Sequence, residues 1–129
     1  MYEIDGPAAW VRLVGRYPLE VSRSRRHDWY RTTGRVGRWF IPDWPAMAGD
    51  YDGVHLTVAA YLATAGRALP LDEADGSAGD GADGATVLAG WDPDATIWLA
   101  DRLAASGPAT RWRRSREHEH WAVCAEPAK

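Results

Sequence analysis

One histidine stands close to carboxylates in the sequence, and this grouping could support general acid–base chemistry. Asp52 precedes His55 by one glycine and one valine, and a further pair of carboxylates, Asp92 and Asp94, flanks a proline. A carboxylate can orient an imidazole so that the ring transfers a proton. If the chain is an enzyme, we therefore predict that His55, Asp52 and Asp94 are catalytic. The competing interpretations are a turn at Asp52 and helix capping at Asp92 and Asp94.

Tryptophan is unusually frequent, with eight indoles in 129 residues. Some of them should line a pocket or a contact surface, because a tryptophan is seldom fully buried and its N–H seeks a partner. The segments 39–44 and 91–98 both place tryptophans on either side of a Pro-Asp pair, an arrangement that could form the mouth of a pocket. For any single tryptophan, anchoring of a turn to the core is the competing explanation. The predicted ligand-binding residues are Trp29, Arg31, Arg38, Trp39, Trp44, Trp91 and Trp98.

Arginines cluster in the segments 23–38 and 111–116, where they are interleaved with aromatic residues. Single-stranded nucleic acids are bound by such surfaces, since rings stack on bases and guanidiniums neutralise phosphates. The segment 34–38 could also hold an anion with backbone N–H groups between two guanidiniums. However, the formal net charge is −3, and no RNA-recognition, helix-turn-helix or cold-shock motif accompanies the arginines. We therefore rank an anion or single-stranded nucleic-acid binder third and do not expect a nucleic acid to be the partner.

The sequence gives weaker evidence for a metal site or for a catalytic nucleophile. His118 and His120 could share a metal on a strand, but two ligands are too few and a charged, exposed strand explains them better. Cys124 is the only cysteine, so it cannot form an intramolecular disulfide, and its apolar surroundings favour a buried thiol. No phosphate-binding loop and no serine nucleophile elbow is present. We predict no metal site and no cofactor.

Length and composition indicate one domain spanning residues 1–129, of which 46% are hydrophobic. No run reaches the roughly 18 apolar residues that a membrane helix requires, so a membrane partner is not expected. The chain opens without a basic and apolar leader, and we therefore expect a cytoplasmic protein. A homodimer is compatible with these features. Residues 72–85 are rich in glycine and aspartate and lack large apolar side chains, so they are predicted to be a flexible acidic loop.

The clearest predicted element is an N-terminal helix. Trp10, Leu13, Val14 and Tyr17 recur at helical spacing, Asp5 precedes them as a cap, and a proline follows. The segments 29–33 and 38–41 are rich in aromatic and β-branched residues, so they predict a hairpin closed by residues 34–37. Residues 19–28 are expected to lead into this hairpin as extended chain.

The second half of the chain gives weaker periodicity. Helical spacing predicts a short helix over residues 45–51, and alternation predicts a strand over 54–60 and onward to 69, although residues 59–63 also suit a helix. Residues 86–89 read as a short buried strand. Residues 92–105 favour a helix narrowly over the alternation at 96–99, and residues 111–125 are expected to close the sheet.

These elements predict an α+β fold in which an antiparallel sheet of about four to six strands is covered by the N-terminal helix and one or two short helices. The leading functional hypothesis is a small cytosolic binding or accessory protein with a Trp-lined cleft for a planar or apolar organic ligand. The alternative is a small cofactor-independent enzyme that uses a His/Asp acid–base pair in the same cleft.

Overall fold

The computed structural model describes residues 1–71, 84–101, 104, 107–115 and 120–124. The α+β class predicted from the sequence is confirmed, with four helices and nine short strands in this part of the chain. The helices are α1 (Pro7–Arg16), α2 (Ser22–Thr33), α3 (Trp44–Met47) and α4 (Val58–Thr64). The strands are β1 (Tyr2–Ile4), β2 (Pro18–Glu20), β3 (Arg38–Pro42), β4 (Gly53–Leu56), β5 (Leu69–Pro70), β6 (Gly84–Thr86), β7 (Ala95–Trp98), β8 (Trp112–Arg114) and β9 (Trp121–Val123).

The strands form mixed sheets instead of one antiparallel sheet. Their orders are β1-β4-β7, β2-β3-β6-β5 and β8-β9. The pairs β1–β4 and β3–β6 are parallel, and the other pairs are antiparallel. Parallel pairs require crossover connections. The connections contain helices, since α1, α2 and α3 lie between β1 and β4, and α3 and α4 lie between β3 and β6.

The N-terminal helix covers the main core as its periodicity predicts. Trp10, Leu13 and Val14 on α1 are buried against Ile4 of β1 and Leu56 of β4. The expected cap at Asp5 is wrong, because Gly6 occupies the N-cap position and no side chain caps the helix. Proline at the first helical position removes one N–H that would otherwise need a partner.

Helix α2 replaces the first strand of the predicted hairpin and most of the extended segment before it. It ends at Gly34, whose φ is +71° and whose N–H donates to the Tyr30 carbonyl at 2.7 Å. A glycine in this left-handed conformation is a common helix terminator. Trp29 is the buried residue of α2 and packs edge-to-face on Trp39 of β3, with the ring centroids 5.2 Å apart. This tertiary contact overrides the local β-preference of residues 29–33.

Threonine and aspartate caps set the boundaries of the two short helices. Asp43 accepts a hydrogen bond from the Ala46 amide at the start of α3, which begins one residue before the predicted helix and ends at Met47. The strand predicted for 54–60 ends at Leu56, since Thr57 caps α4 by accepting from the Ala60 amide at 3.1 Å. The extension of that strand to residue 69 is therefore also wrong.

The predicted helix over 92–105 is wrong, because residues 95–98 form β7 beside β4. The alternation at 96–99 was the informative signal, and pairing with β4 supplies hydrogen bonds that the sequence pattern does not reveal. Strands β8 and β9 pair with each other in a separate sheet, so the C-terminal segment does not close the main sheet as expected. Residues 72–83 of the predicted acidic loop lie outside the described residues. Gly84 and Ala85, assigned to that loop, are buried in β6.

The four helices of the described ranges are all too short or too polar to cross a membrane.

Candidate functional site

A cleft of about 440 Å³ lies between α2 and the segment that enters β3. Helix α2 contributes Ser22, Arg26, His27 and Tyr30. The opposite wall consists of Arg35, Val36, Gly37 and Trp39. Ser22, Arg26 and Tyr30 follow each other at intervals of four residues, so they share one face of the helix.

Trp39, which lines the cleft, is in contact with a second indole behind it. Trp29 and Trp39 are both buried and pack together with Ala85 and Val87 of the neighbouring strand segment. The Nε1 atom of Trp39 is buried and has no hydrogen-bond partner among the described residues. A buried N–H group without a partner is uncommon, because it has lost its hydrogen bond to water.

Arginine forms one wall of the cleft. The guanidinium carbon of Arg35 lies 5.0 Å from the ring centroid of Trp39, within cation–π range. Its Nη1 atom also donates to the carbonyl of Arg38 at 3.2 Å. These contacts hold the guanidinium against the indole. Arg26 on the facing helix forms no ion pair within the described part of the chain.

A hydrogen-bonded group at the end of the cleft joins the start of α2 to β3. Ser22 Oγ donates to Glu20 Oε1 at 2.8 Å and accepts from the Trp39 amide at 2.9 Å. The other carboxylate oxygen of Glu20 accepts from Arg38 Nη2 at 2.8 Å. The hydrogen bonds from Arg38 and Ser22 lower the pKa of Glu20 below its ordinary value. These hydrogen bonds lie beside the cleft and fix the start of α2 against β3.

Four of the predicted ligand-binding residues lie in or near this cleft, and their contacts differ. Trp39 lines the cleft, and Trp29 packs behind it. Arg38 lies beside the cleft, where it pairs with Glu20 and stacks on Phe40. Arg31 is exposed on α2 and is not part of the lining.

The other three predicted tryptophans lie away from this cleft. Trp44 and Trp91 pack edge-to-face, with ring centroids 5.8 Å apart, against the main core. Trp98 is on β7 and is 44% exposed, with its ring over Gly53. The seven predicted residues therefore occupy three places and do not form one site.

The predicted ligand-binding residues did not include Ser22, Arg26, His27, Tyr30 and Arg35, although the anion hypothesis for the segment 34–38 covered Arg35. The four-residue spacing of Ser22, Arg26 and Tyr30 was the available signal. It has meaning only on a helix, and the hairpin interpretation of this segment concealed it.

Two of the predicted acid–base residues, His55 and Asp94, lie on the outer face of the three-stranded sheet. His55 is aligned with Glu3 on one side and Thr96 on the other. Its Nδ1 atom is 2.9 Å from Thr96 Oγ1, and its Nε2 atom is 3.7 Å from Asp94 Oδ1. Asp94 has a φ of +57°, in the left-handed region that non-glycine residues seldom adopt. The structure thus brings His55 and Asp94 together.

The backbone of Asp52 helps to join β4 to β7. Its carbonyl accepts from the amides of Leu99 and Ala100 at 2.8 and 3.3 Å, and these bonds hold the end of β7 against the start of β4. His55, Asp52 and Asp94 do not line the α2–β3 cleft. An acid–base pair built from these residues would therefore act outside this cleft.

Within the described ranges, no three histidine, cysteine or acidic side chains are grouped as metal ligands would be. His118, the partner of His120 in the sequence-based metal hypothesis, lies outside those ranges. Cys124 is partly buried and has a free thiol.

Comparisons of the chain with protein-family models, with curated proteins and with solved structures found no match.

Proposed function

We propose that the chain is a small binding protein whose α2–β3 cleft accepts a planar organic ligand. The observation that carries this proposal is the convergence of Tyr30, Trp39, Arg26 and Arg35 on one cleft of about 440 Å³. Pockets of roughly 300–1,000 Å³ with aromatic walls and a few polar groups are typical of small-molecule sites.

The two walls offer complementary contacts to a flat molecule. The Tyr30 side chain is 51% exposed on α2, so its ring and hydroxyl are accessible from the cleft. Arg35 is already held against the Trp39 indole, so a ligand meets a guanidinium that has lost part of its conformational freedom. Preorganised side chains reduce the entropic cost of binding. The arginine would therefore orient a ligand whose ring contacts Tyr30.

Binding to this cleft can be tested with two fluorescent dyes that carry a flat naphthalene ring, anilinonaphthalene sulfonate and N-phenylnaphthylamine. We expect at least one of them to bind the full chain at a single site. Tyr30→Ala should weaken that binding about tenfold or more, because it removes an aromatic wall. The matched control is Trp98→Ala, which removes another exposed aromatic residue outside the cleft and should leave affinity unchanged.

Two results would contradict the proposal. One is the absence of saturable binding by either dye. The other is an equal loss of affinity in both variants, because such a result would locate the dye on general apolar surface.

A second candidate function is acid–base catalysis on the outer face of the three-stranded sheet. The specific observation in its favour is that His55 lies between Thr96 Oγ1 and Asp94, which itself has a left-handed backbone. Residues in such conformations cluster at functional sites. One ring nitrogen of His55 contacts a hydroxyl and the other faces a carboxylate at 3.7 Å, and a carboxylate beside an imidazole can orient the ring for proton transfer.

Hydrolysis of p-nitrophenyl acetate is a direct probe of a reactive imidazole. If His55 is catalytic, the chain should accelerate hydrolysis above the buffer rate and His55→Asn should abolish that acceleration. Asp94→Asn should reduce it about tenfold. His27→Asn, which changes the histidine of the cleft, serves as the control and should have no effect. Equal rates for the unchanged chain and His55→Asn would exclude this second function.

A further inference from the structure

The outer face of the three-stranded sheet carries an exposed indole. Trp98 of β7 is 44% exposed and is aligned with Gly53 of β4 in the antiparallel pair. Its ring lies directly over that glycine, because a Cβ added to Gly53 would be 3.1 Å from Cε3 of the indole. Glycine at this position allows the close approach. One side of the ring therefore packs on the backbone of β4, and the other side is open to solvent.

Polar side chains lie beside the indole on the same face. His55 and Thr96 are aligned across β4 and β7, and Trp98 is two residues from Thr96, so the three side chains point to one side of the sheet. Trp98 and His55 are diagonal neighbours, which places their Cα atoms roughly 7–8 Å apart. Asp94 Oδ1 is 3.7 Å from His55 Nε2. A ring-sized ligand that covers the indole can therefore reach the imidazole and the carboxylate.

The contacts of His55 indicate which nitrogen of the neutral imidazole carries the proton. Nδ1 is 2.9 Å from Thr96 Oγ1, and Nε2 faces the carboxylate of Asp94. The carboxylate favours an N–H on Nε2, so Nδ1 accepts from the Thr96 hydroxyl. At 3.7 Å, Nε2 and the Asp94 oxygen are too far apart to bond to each other. Their side chains are 25% and 74% exposed, so a donor and an acceptor lie side by side within reach of a ligand.

We propose that this face binds the pyranose ring of a neutral carbohydrate. A hydroxyl group is both a donor and an acceptor, so one sugar hydroxyl can accept from His55 Nε2 and donate to Asp94. The C–H bonds on one face of a pyranose form an apolar surface that can pack on the open side of the Trp98 indole. This site is separate from the α2–β3 cleft, and binding there requires no catalysis by His55.

The same groups favour a neutral ligand over a charged one. Asp94 and, on β1, Glu3 place carboxylates on this face, and no lysine or arginine in the described part of the chain forms an ion pair with either. An anion would be repelled by both carboxylates. An ammonium group would be attracted by them and by the indole, but it has donors only and offers no acceptor to His55 Nε2. A hydroxyl satisfies both members of the pair.

Saturation-transfer difference NMR on the full chain tests this proposal with methyl β-D-glucopyranoside and methyl β-D-galactopyranoside. In both glycosides, H1, H3 and H5 lie on one face of the ring. We expect at least one glycoside to bind with a Kd of about 1 mM and to receive the strongest saturation at these hydrogens, since they would contact the indole. Choline, a cation of similar size, should bind about tenfold more weakly.

Two substitutions test the residues that carry the inference. Trp98→Ala should abolish detectable binding, because it removes the stacking surface. Asp94→Gly should weaken binding about tenfold, since it removes the acceptor while glycine retains the left-handed backbone of this exposed position. It also keeps the test valid if Trp98→Ala loosens β7, which circular dichroism would show.

Two further variants serve as controls. Trp121→Ala removes a more exposed indole from β9, and Tyr30→Ala changes the α2–β3 cleft. Neither should alter affinity for the glycoside.

Three results would overturn the inference and leave the proposed function of the α2–β3 cleft untouched. The first is no saturation transfer to either glycoside at up to about 20 mM. The second is binding of choline as tight as that of the glycosides, which would assign the face to an organic cation. The third is an equal loss of affinity in Trp98→Ala and Trp121→Ala. Sugar binding that is lost in Tyr30→Ala and retained in Trp98→Ala would place the sugar in the cleft, and would also overturn the inference.

Discussion

Tyr17, directly after α1, couples its ionisation to folding. It is buried, and its hydroxyl donates to Oδ2 of Asp50, an oxygen that also accepts from Arg16 Nη2 at 3.0 Å. Burial, followed by the hydrogen bond to Asp50, raises the pKa of Tyr17 to about 12. These contacts tie the end of α1 to the segment between α3 and β4. The folded state therefore favours the neutral phenol.

This raised pKa predicts a loss of stability in alkaline solution. An unfolded tyrosine ionises near pH 10, so the contribution of Tyr17 is complete below that pH and is lost as pH rises toward about 12. In urea titrations we expect this to remove on the order of 1 kcal/mol of the free energy of unfolding by about pH 11.5, because the half-exposed Asp50 is screened by solvent. Tyr17→Phe should have a shallower pH dependence, whereas Tyr30→Phe should match the unchanged chain. Parallel profiles for Tyr17→Phe and the unchanged chain would show that this ionisation is not linked to folding.

At the scale of elements, the sequence predicted those helices and strands whose apolar residues face the core at a regular interval. Helix α1 buries Trp10, Leu13 and Val14 along one stripe, and β4 buries Val54 and Leu56 on one face. In both elements the local pattern and the tertiary contacts agree. The periodicity was therefore sufficient to predict them.

Helix α2 shows why the rest could not be predicted. Among its twelve residues only Trp29 is buried, so there is no apolar stripe to reveal a helix. Its position depends on Trp39, ten residues away in the sequence, and on the Ser22 contacts with Glu20 and β3. The aromatic and β-branched residues around Trp29 favour a strand locally.

Because α2 was not predicted to be a helix, most of the residues that line the α2–β3 cleft were also missed. The facing positions Ser22, Arg26 and Tyr30 become neighbours only when the segment is helical. Trp39 was predicted to bind a ligand because that prediction rested on the abundance of tryptophan. It therefore needed no secondary-structure assignment. His55 and Asp94 were grouped by residue type alone, and the 3.7 Å between Nε2 and Oδ1 in the structure depends on the pairing of β7 with β4, which the sequence did not predict.

At the scale of the whole molecule, the arginine-rich segments lie on two separate elements. One segment forms α2 and the loop into β3, where Arg38 is already paired with Glu20. The other includes the β8–β9 hairpin, on which Trp112 and Trp121 are 55% and 63% exposed. Trp112 and Arg114 point to the same side of β8 because side chains alternate along a strand. The hairpin therefore displays an aromatic and cationic face.

The formal net charge of −3 opposes long-range attraction of polyanions to this hairpin. We therefore expect the full chain not to bind a fluorescently labelled oligothymidine with submicromolar affinity in anisotropy titrations at about 150 mM salt. At lower salt, any binding should weaken steeply as salt is added, and replacing Arg111, Arg113 and Arg114 together with glutamine should flatten that dependence. Submicromolar binding at physiological salt that Trp112→Ala and Trp121→Ala both reduce would contradict this prediction. In that event the two exposed indoles would act as a stacking platform, and nucleic-acid binding would take precedence over the small-molecule function.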